Sequence, residues 1–290
     1  MATGDEIRDR QRATWAGLST SWEKWDGVIV DQLAPVGTAM VDALGVGGDD
    51  GPPGGRLHLD VASGTGEPGL TIARAAPDAR VVLTDLSPEM LAVASRRAEA
   101  AGVTNVETQV CSADDLPFDD DTFSTISVRF GFMFFPDLDP ATAELVRVLA
   151  PGGRLCSAVW IDPDQNPWTA IAMQAIATEV EVPSPEPDAP SMFRCAAPGA
   201  VRDRFESAGL RDVREWDVDV ELVTRSADEY WDVMSEHVSL IAAALRQVDE
   251  PTRERIRAVA VAAVAPFANG DDVRVPGLAR CTVGTKPGGG

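Results

Sequence analysis

Lysine is nearly absent: Lys24 and Lys286 are the only two in 290 residues. A phosphate-binding loop of the Gly-Lys-Ser/Thr type therefore has no counterpart here, and nucleotide hydrolysis by that device is excluded. Tyrosine occurs once, at Tyr230, with no lysine near it, so the Tyr-x-x-x-Lys pair used by nicotinamide-dependent oxidoreductases is missing. Histidine and cysteine are scarce as well. His58 and His237 are the only histidines, and Cys111, Cys156, Cys195 and Cys281 form no CxxC pair, so local spacing assembles no zinc site and no metal is expected. Three of those cysteines sit in strand-like segments, where a small buried hydrophobe is the better reading than a reactive thiol. Ser63 lacks the flanking glycines of a GxSxG nucleophile elbow, which excludes that hydrolase.

Basic charge is in equally short supply. With 25 Lys and Arg against 46 Asp and Glu, the net charge of -21 repels a phosphate backbone, and no basic helix offsets it locally. Nucleic acid is not an expected partner. Long hydrophobic runs are missing too: the longest unbroken one, 258–265, is far too short to cross a bilayer, and the opening MATGDEIRDRQR is charged where a signal peptide is apolar. The expectation is a cytoplasmic chain without a membrane span.

What remains is 44% hydrophobic, enough for a proper core, arranged as short β-branched runs alternating with helical stretches. That alternation is the signature of a parallel sheet covered on both faces. Strands are predicted at 57–61, 80–84, 106–111, 125–128 and 154–160, with helices at 69–76, 88–101 and 141–149 between them. Ala150-Pro151-Gly152-Gly153 reads as a helix stop and turn. Further along, helices are predicted at 168–181 and 198–207, a proline-rich loop at 182–190, an alternating strand at 213–223 and a last strand at 279–284. The span 227–268 is helical in composition with a break at 249–251, so the two late strands form a hairpin whose connection has grown into a helical cap. The domain reading is an N-terminal helical lid at 1–50, an α/β core at 51–223 with an insertion at about 161–197, a helical cap at 224–270, and the final strand with a disordered tail at 271–290.

The chemistry centres on LHLDVASGTGEPGL, 57–70. Gly64 to Gly69 formally satisfies GxGxxG between a strand and a helix, and Asp85 ends the next strand about twenty residues on. Glycines let a ligand approach the backbone and a carboxylate after the second strand accepts from ribose hydroxyls, so the pattern indicates a nucleoside. Two features disfavour a dinucleotide. Asp60 places an anion four residues before Gly64, which works against a pyrophosphate and suits an ammonium or sulfonium. Pro68 removes a backbone N–H where a phosphate needs donors.

The order LDVASGTGEPGLTIA, VVLTDLSPEMLAVA, CSADDLPFDDDTFSTISVRFGFMFFPD and ELVRVLAPGGRL resembles the class I S-adenosylmethionine-dependent methyltransferases over about 57–160. Within them LPFDDDTFSTISVRFG is most similar to the ubiquinone and menaquinone C-methyltransferases and related natural-product enzymes. The resemblance implies a Rossmann-like, seven-stranded, mostly parallel sheet and S-adenosylmethionine as cofactor. It implies backbone contacts from Ala62, Ser63, Gly64 and Gly66 to the methionine end, with Asp60 near the ammonium. Asp85 holds the ribose hydroxyls and Leu86 and Met90 flank the adenine. Where the family has Asp or Asn for the adenine amine this chain has Ser112 and Ala113, with Asp114 as a nearby alternative.

For the acceptor, Arg129 at a strand end beside an apolar run needs an anion or carbonyl partner, and is a candidate for the cofactor carboxylate or a catalytic contact with a substrate oxygen. His237 is the candidate base, on one helical side with Trp231 and Met234. Phe130, Phe132, Tyr230 and Met234, with Trp22 and Trp25 of the N-terminal lid, are the expected pocket walls. Expected partners are a small, largely apolar or aromatic acceptor from quinone or secondary metabolism, methylated at carbon or oxygen, with a homodimer left open. The rivals are an NAD-dependent oxidoreductase and a non-catalytic, cofactor-binding regulatory protein.

Overall fold

The computed structural model describes residues 3–46, 57–181 and 188–288. Most of the predicted proline-rich loop, part of the predicted tail and the expected boundary near 51 lie outside them. Two helices open the chain, α1 (Gly4–Lys24) and α2 (Asp26–Leu44). The core follows as β1 (Leu57–Val61), α3 (Gly69–Ala75), β2 (Arg80–Asp85), α4 (Pro88–Ala100), β3 (Val106–Val110), β4 (Phe123–Arg129), α5 (Leu138–Val148) and β5 (Leu149–Trp160). After it come α6 (Pro167–Ala177), α7 (Arg202–Ser207), β6 (Arg211–Thr224), α8 (Ala227–His237), α9 (Ser239–Leu245), α10 (Glu250–Val264), the two-residue β7 (Ala268–Asn269) and β8 (Asp272–Thr285).

The sheet order is β3-β2-β1-β4-β5-β8-β6, with β7 paired to β8. Strands β1 to β5 run parallel, and β8 enters antiparallel between β5 and β6. The α/β, mostly parallel sheet of seven principal strands agrees with the sequence reading, and β6 with β8 makes the long-range hairpin. Both hairpin strands are longer than their apolar cores indicate, because charged residues such as Asp217, Asp219 and Glu221 alternate outward along β6 while backbone pairing continues from Arg211 to Thr224.

The two N-terminal helices are held by different physics. In α2, Ile29, Leu33, Val36, Met40 and Leu44 recur at helical spacing, are buried, and lie on β5, β6 and β8. Burying each such side chain contributes about 1.5–3 kcal/mol. By length and composition α2 is also apolar enough to cross a membrane; in this fold that apolar side covers the sheet. Only Leu18 of α1 is buried, and α1 is tied down by ion pairs: Arg8 to Asp114 at 2.6 Å, Glu23 to Arg96 at 2.8 Å, and Lys24 to Glu236 at 2.6 Å. The expected lid over 1–50 therefore divides: α1 lies across the carboxyl edge against α4 and α8, whereas α2 is part of the core.

Helix α6, read from sequence as a separate insertion, packs with α9 and α10, so it joins the cap formed by α8, α9 and α10. Asn166 fixes the entry to α6. Its buried amide donates to the carbonyls of Ile161 and Leu278 at 3.1 Å and accepts from the Leu278 N–H and Trp168 Nε1–H at 3.0 Å. These bonds stitch α6 to β8 and orient the Trp168 ring.

Candidate functional site

Strand order reverses at β1, which has β2 on one side and β4 on the other. The loops leaving β1 and β4 diverge there and open a crevice at the carboxyl edge of the sheet. Ala62 and Phe130, the first residues of those loops, both have left-handed backbone, with φ of 53° and 58°. Such φ values are uncommon for residues carrying a Cβ and concentrate at functional loops. The loops touch: a Cβ on Gly131 would stand 2.5 Å from that of Ala62. Glycine at 131 is thus required by close approach.

The first loop is shaped by its own backbone. Ser63 N–H donates to the Thr84 carbonyl at 2.9 Å and Gly66 N–H to the Ser63 carbonyl at 2.8 Å, with Gly66 at φ 106°. Asp85 braces the turn from the next strand, its two carboxylate oxygens accepting from Gly64 N–H and Ser87 N–H, each at 2.9 Å. Burial pushes the Asp85 carboxyl above the ordinary range, and those N–H groups pull it back. Asp85 still faces the cavity, together with Ala62, Gly64, Leu86, Met90, Ser112 and Ala113. Ser63 and Gly66 shape the loop without lining the cavity, and the buried Ser63 hydroxyl has no partner among the described residues.

Asp60 departs from the expectation. It is fully buried beneath the loop, accepting from Gly69 N–H at 2.9 Å and from the Ser127 hydroxyl at 2.6 Å, so it does not face the cavity. Burial drives its carboxyl up to about 7, against those two hydrogen bonds. The Ser127 hydrogen is committed to Asp60, so Ser127 accepts from His58 Nε2–H at 3.0 Å, and His58 Nδ1 accepts from Thr125 at 2.8 Å. Burial holds His58 neutral, down to about 3, which makes it the structural residue its strand position implied. Glu67 acts beside Asp60: its carboxylate accepts from the Thr71 N–H at 3.1 Å and pairs with Arg74 and Arg97. Two carboxylates of the chain itself thus occupy N–H donors in the first turn of α3. The carbonyl partner expected for Arg129 is that of Glu67, 3.0 Å from Nε, and the guanidinium borders the cavity. Burial lowers its proton affinity while Glu67 and Asp60 raise it.

Beyond Arg129 the wall becomes aromatic. Phe130 stacks on Trp160 with centroids 4.2 Å apart and planes 16° apart, and Trp160 meets Trp168 at 4.9 Å. On the α1 side, Trp15 contacts Phe134 at 5.2 Å, and the Trp22 ring lies 4.3 Å from that of His237. His237 ends α8 and borders the cavity with its Nδ1 buried and unpaired among the described residues. Burial pushes its pKa down to about 3, so it is a neutral imidazole, far below the value that suits a general base near neutral pH.

Five other expected residues do not face the cavity. Phe132 is fully buried against Phe135 and Phe205. Tyr230 is also buried and donates to the Trp168 carbonyl at 2.9 Å, and Met234 lies in the core with it. Trp25 turns away to donate to Glu236 at 2.9 Å beneath Lys24. Asp114, the alternative adenine contact, is engaged by the Ser112 hydroxyl and by Arg8. Conversely, Trp15, Gln32, Met133, Trp160, Trp168 and Met192 border the cavity and were not singled out from sequence. Trp15 had a signal, two helical turns before Trp22 on α1. Gln32 had another, as a polar residue within the apolar stretch of α2. Among the described residues no group of three His, Cys, Asp or Glu side chains is placed to hold a metal.

Residues 59–153 match the model of a methyltransferase domain. Over 99 residues the chain is 48% identical to a demethylmenaquinone methyltransferase of Thermus thermophilus, which covers 33% of this chain and 44% of that protein. The chain spans less than half the length of the curated relatives it matches. Among solved structures it is similar to phosphoethanolamine N-methyltransferase 2 of Haemonchus contortus, with a TM-score of 0.55 and 15% identity, covering 99% of this chain and 61% of that one. It is also similar to the [4+2]-cyclase SpnF, with a TM-score of 0.53 and 18% identity, covering 94% and 96%.

Proposed function

We propose, for a chain whose core belongs to the class I S-adenosylmethionine-dependent methyltransferases, that the loop after β1 and Asp85 hold the cofactor and that the aromatic chamber holds a small methyl acceptor. The observation that carries this reading is the occupied N-terminus of α3. A dinucleotide pyrophosphate needs free N–H donors there, and Asp60 and Glu67 already take those of Gly69 and Thr71. A nucleoside without phosphate needs only the bare backbone of 62–66 and a ribose-binding carboxylate. Asp85 supplies the latter: each oxygen uses one lone-pair direction on a backbone N–H and keeps others for ribose hydroxyls. Arg129, anchored on the Glu67 carbonyl, is the cation within reach of a cofactor carboxylate.

S-adenosylmethionine supplies an already activated methyl group. The chain then has to orient the acceptor in line and exclude water. Aromatic rings from the loop after β4 and from β5, α1 and α6 serve both ends, walling the chamber with Phe130, Trp160, Trp15 and Trp168. The acceptor is small and apolar or aromatic, quinone-like or a secondary metabolite, and is methylated at carbon or oxygen. The name of the Thermus relative supports the quinone-like form. Because the fold also carries a cyclase, the reaction has to be measured and does not follow from architecture. Calorimetric titration with S-adenosylhomocysteine and, separately, NADH tests the cofactor assignment. Binding of the first alone is expected; binding of NADH alone overturns it.

A further inference from the structure

Arg8, on the second turn of α1, reaches a partner in the α/β core 106 residues away: its Nη1 donates to Asp114 Oδ2 at 2.6 Å, across an ion pair whose side chains are 30% and 12% exposed. The other oxygen of Asp114 accepts from the Ser112 hydroxyl. A carboxylate paired with arginine has no hydrogen to give, so the Ser112 hydrogen is committed to it and Ser112 Oγ is left with lone pairs alone. Ser112 borders the cavity beside Ala113 and Leu86, whereas Asp114 does not. The turn that brings the two together is closed by the Asp115 N–H on the Ser112 carbonyl at 3.2 Å. Arg12, one turn on from Arg8, donates from Nε to the Leu86 carbonyl at 3.3 Å, and Gln11 and Trp15 of the same helix border the cavity. Helix α1 therefore closes the end of the cavity at which Asp85, Leu86 and Met90 stand.

We propose that Arg8 is a positioning residue for the base of the cofactor: by fixing Asp114 it confines Ser112 to accepting from the adenine amine, and so couples the docking of α1 to the reading of that base. This rests on the cofactor assignment above. A lone serine hydroxyl is ambiguous, since it donates to an oxo group as readily as it accepts from an amine. A serine whose hydrogen is taken by a carboxylate only accepts, which is the character that an acidic side chain would have at this position. Arg8 does what this arrangement needs, because a charge-assisted bond at 2.6 Å keeps Asp114 ionised and oriented with one oxygen left for Ser112. Asp5, one turn before Arg8, pairs with the second guanidinium nitrogen and steers the side chain. An ion pair near the surface contributes little to folding stability, so the consequence of this one lies in what Ser112 presents to a ligand. Neither Arg8 nor Asp5 falls within the methyltransferase-domain match of 59–153, so base selectivity in the core is completed from a helix outside it.

Calorimetry on the full chain compares S-adenosylhomocysteine with S-inosylhomocysteine, in which an oxo group that accepts replaces the amine that donates. The wild type is expected to favour the adenosyl form, and Ser112→Ala to lower the ratio of the two affinities about tenfold. Arg8→Gln should lower the same ratio about fivefold, and Arg8→Lys, which keeps the ion pair, should retain most of it. Adding Arg8→Gln to Ser112→Ala should change the ratio no further, because Arg8 acts through Ser112. Unfolding midpoints confirm that the variants are folded. An equal loss for both nucleosides at an unchanged ratio would mean that α1 only covers the cavity. That result, unchanged affinity for both in Arg8→Gln, a further fall of the ratio in the double variant, or no preference in the wild type overturns the inference alone. Failure of the wild type to bind either nucleoside removes the cofactor reading and the inference with it.

Discussion

At the glycine-loop end of the cavity, Asp85 has one oxygen on the Gly64 N–H, one strand away, and the other on the Ser87 N–H two residues on, and the loop closes through bonds between Ser63, Thr84 and Gly66. At the aromatic end, Trp22, Gln32 and His237 come from three separate helices and their buried nitrogens bond to nothing described. The first end is organised before any ligand arrives and has few degrees of freedom to lose, as suits a ligand shared by many enzymes. The second end holds buried polar atoms whose desolvation nothing in the described chain offsets. A single cavity thus joins an end fixed by backbone hydrogen bonds to an end set by side chains from separate helices.

The sharpest way to break this contrast is at Asp85. Asp85→Asn is expected to weaken S-adenosylhomocysteine binding about a hundredfold, which is about 2.8 kcal/mol, because it removes the charge and places an NH2 against one of the two N–H groups. Asp85→Ala is a poorer probe, since it strips both loop N–H groups of their acceptor and disturbs the turn as well. Unchanged calorimetric affinity in Asp85→Asn would remove the ribose assignment.

The buried support of the loop makes a second test, through pH. Asp60 titrates at about 7 in the folded protein, raised from about 3.9 in an unfolded chain. A raised acid pKa means that the folded state holds the proton more tightly. Its contribution is fully present below about pH 3.9 and is lost as pH rises to about 7, with a slope of at most about 1.4 kcal/mol per pH unit. The difference in unfolding free energy between wild type and Asp60→Asn, measured from pH 4 to 8, should therefore fall with rising pH and level off above about 7. A flat difference curve would show that the carboxylate stays charged throughout.

The smallest effect tests the other end. Gln32→Met removes a buried, unpaired Nε2 and puts an apolar side chain of similar length in its place, and should stabilise the free protein by about 1 kcal/mol in denaturant unfolding. The equivalent polar deletion at the loop destabilises. A clear loss of stability in Gln32→Met would mean that its amide is paired after all, and the contrast between the two ends would fail.

Much of this was legible because it is local. A strand, a glycine loop, a short helix and an acid at the end of the next strand are fixed by near neighbours in the chain, so the placement of Gly64 and Asp85 followed from spacing, while that of Leu86 and Met90 came from the family resemblance. Asp60 shows the limit even there. Its position in the motif was readable, but whether it faces the ligand or the helix behind depends on Gly69 and Ser127, the latter 67 residues away.

Helix α8 marks the boundary most clearly. Trp231, Met234 and His237 share a helical side by spacing, yet Trp231 and Met234 lie in the core and only His237, at the end of the helix, reaches the cavity. The helix is buried on more than one side, with Tyr230 and Val233 also inside, so periodicity could say that its faces are covered but not by what. On α1, Trp22 and Trp25 were alike in sequence and part in space, because Glu236 of α8 captures one indole while the tilted ring of His237 packs against the other. The amino-acid sequence by itself determined the alternation of strands and helices and the glycine loop, since each is set by patterns within a few residues. Which side chains meet at the aromatic end of the cavity was decided only when α1, α2, α6 and α8 packed together, because that meeting depends on long-range contacts that no local pattern encodes.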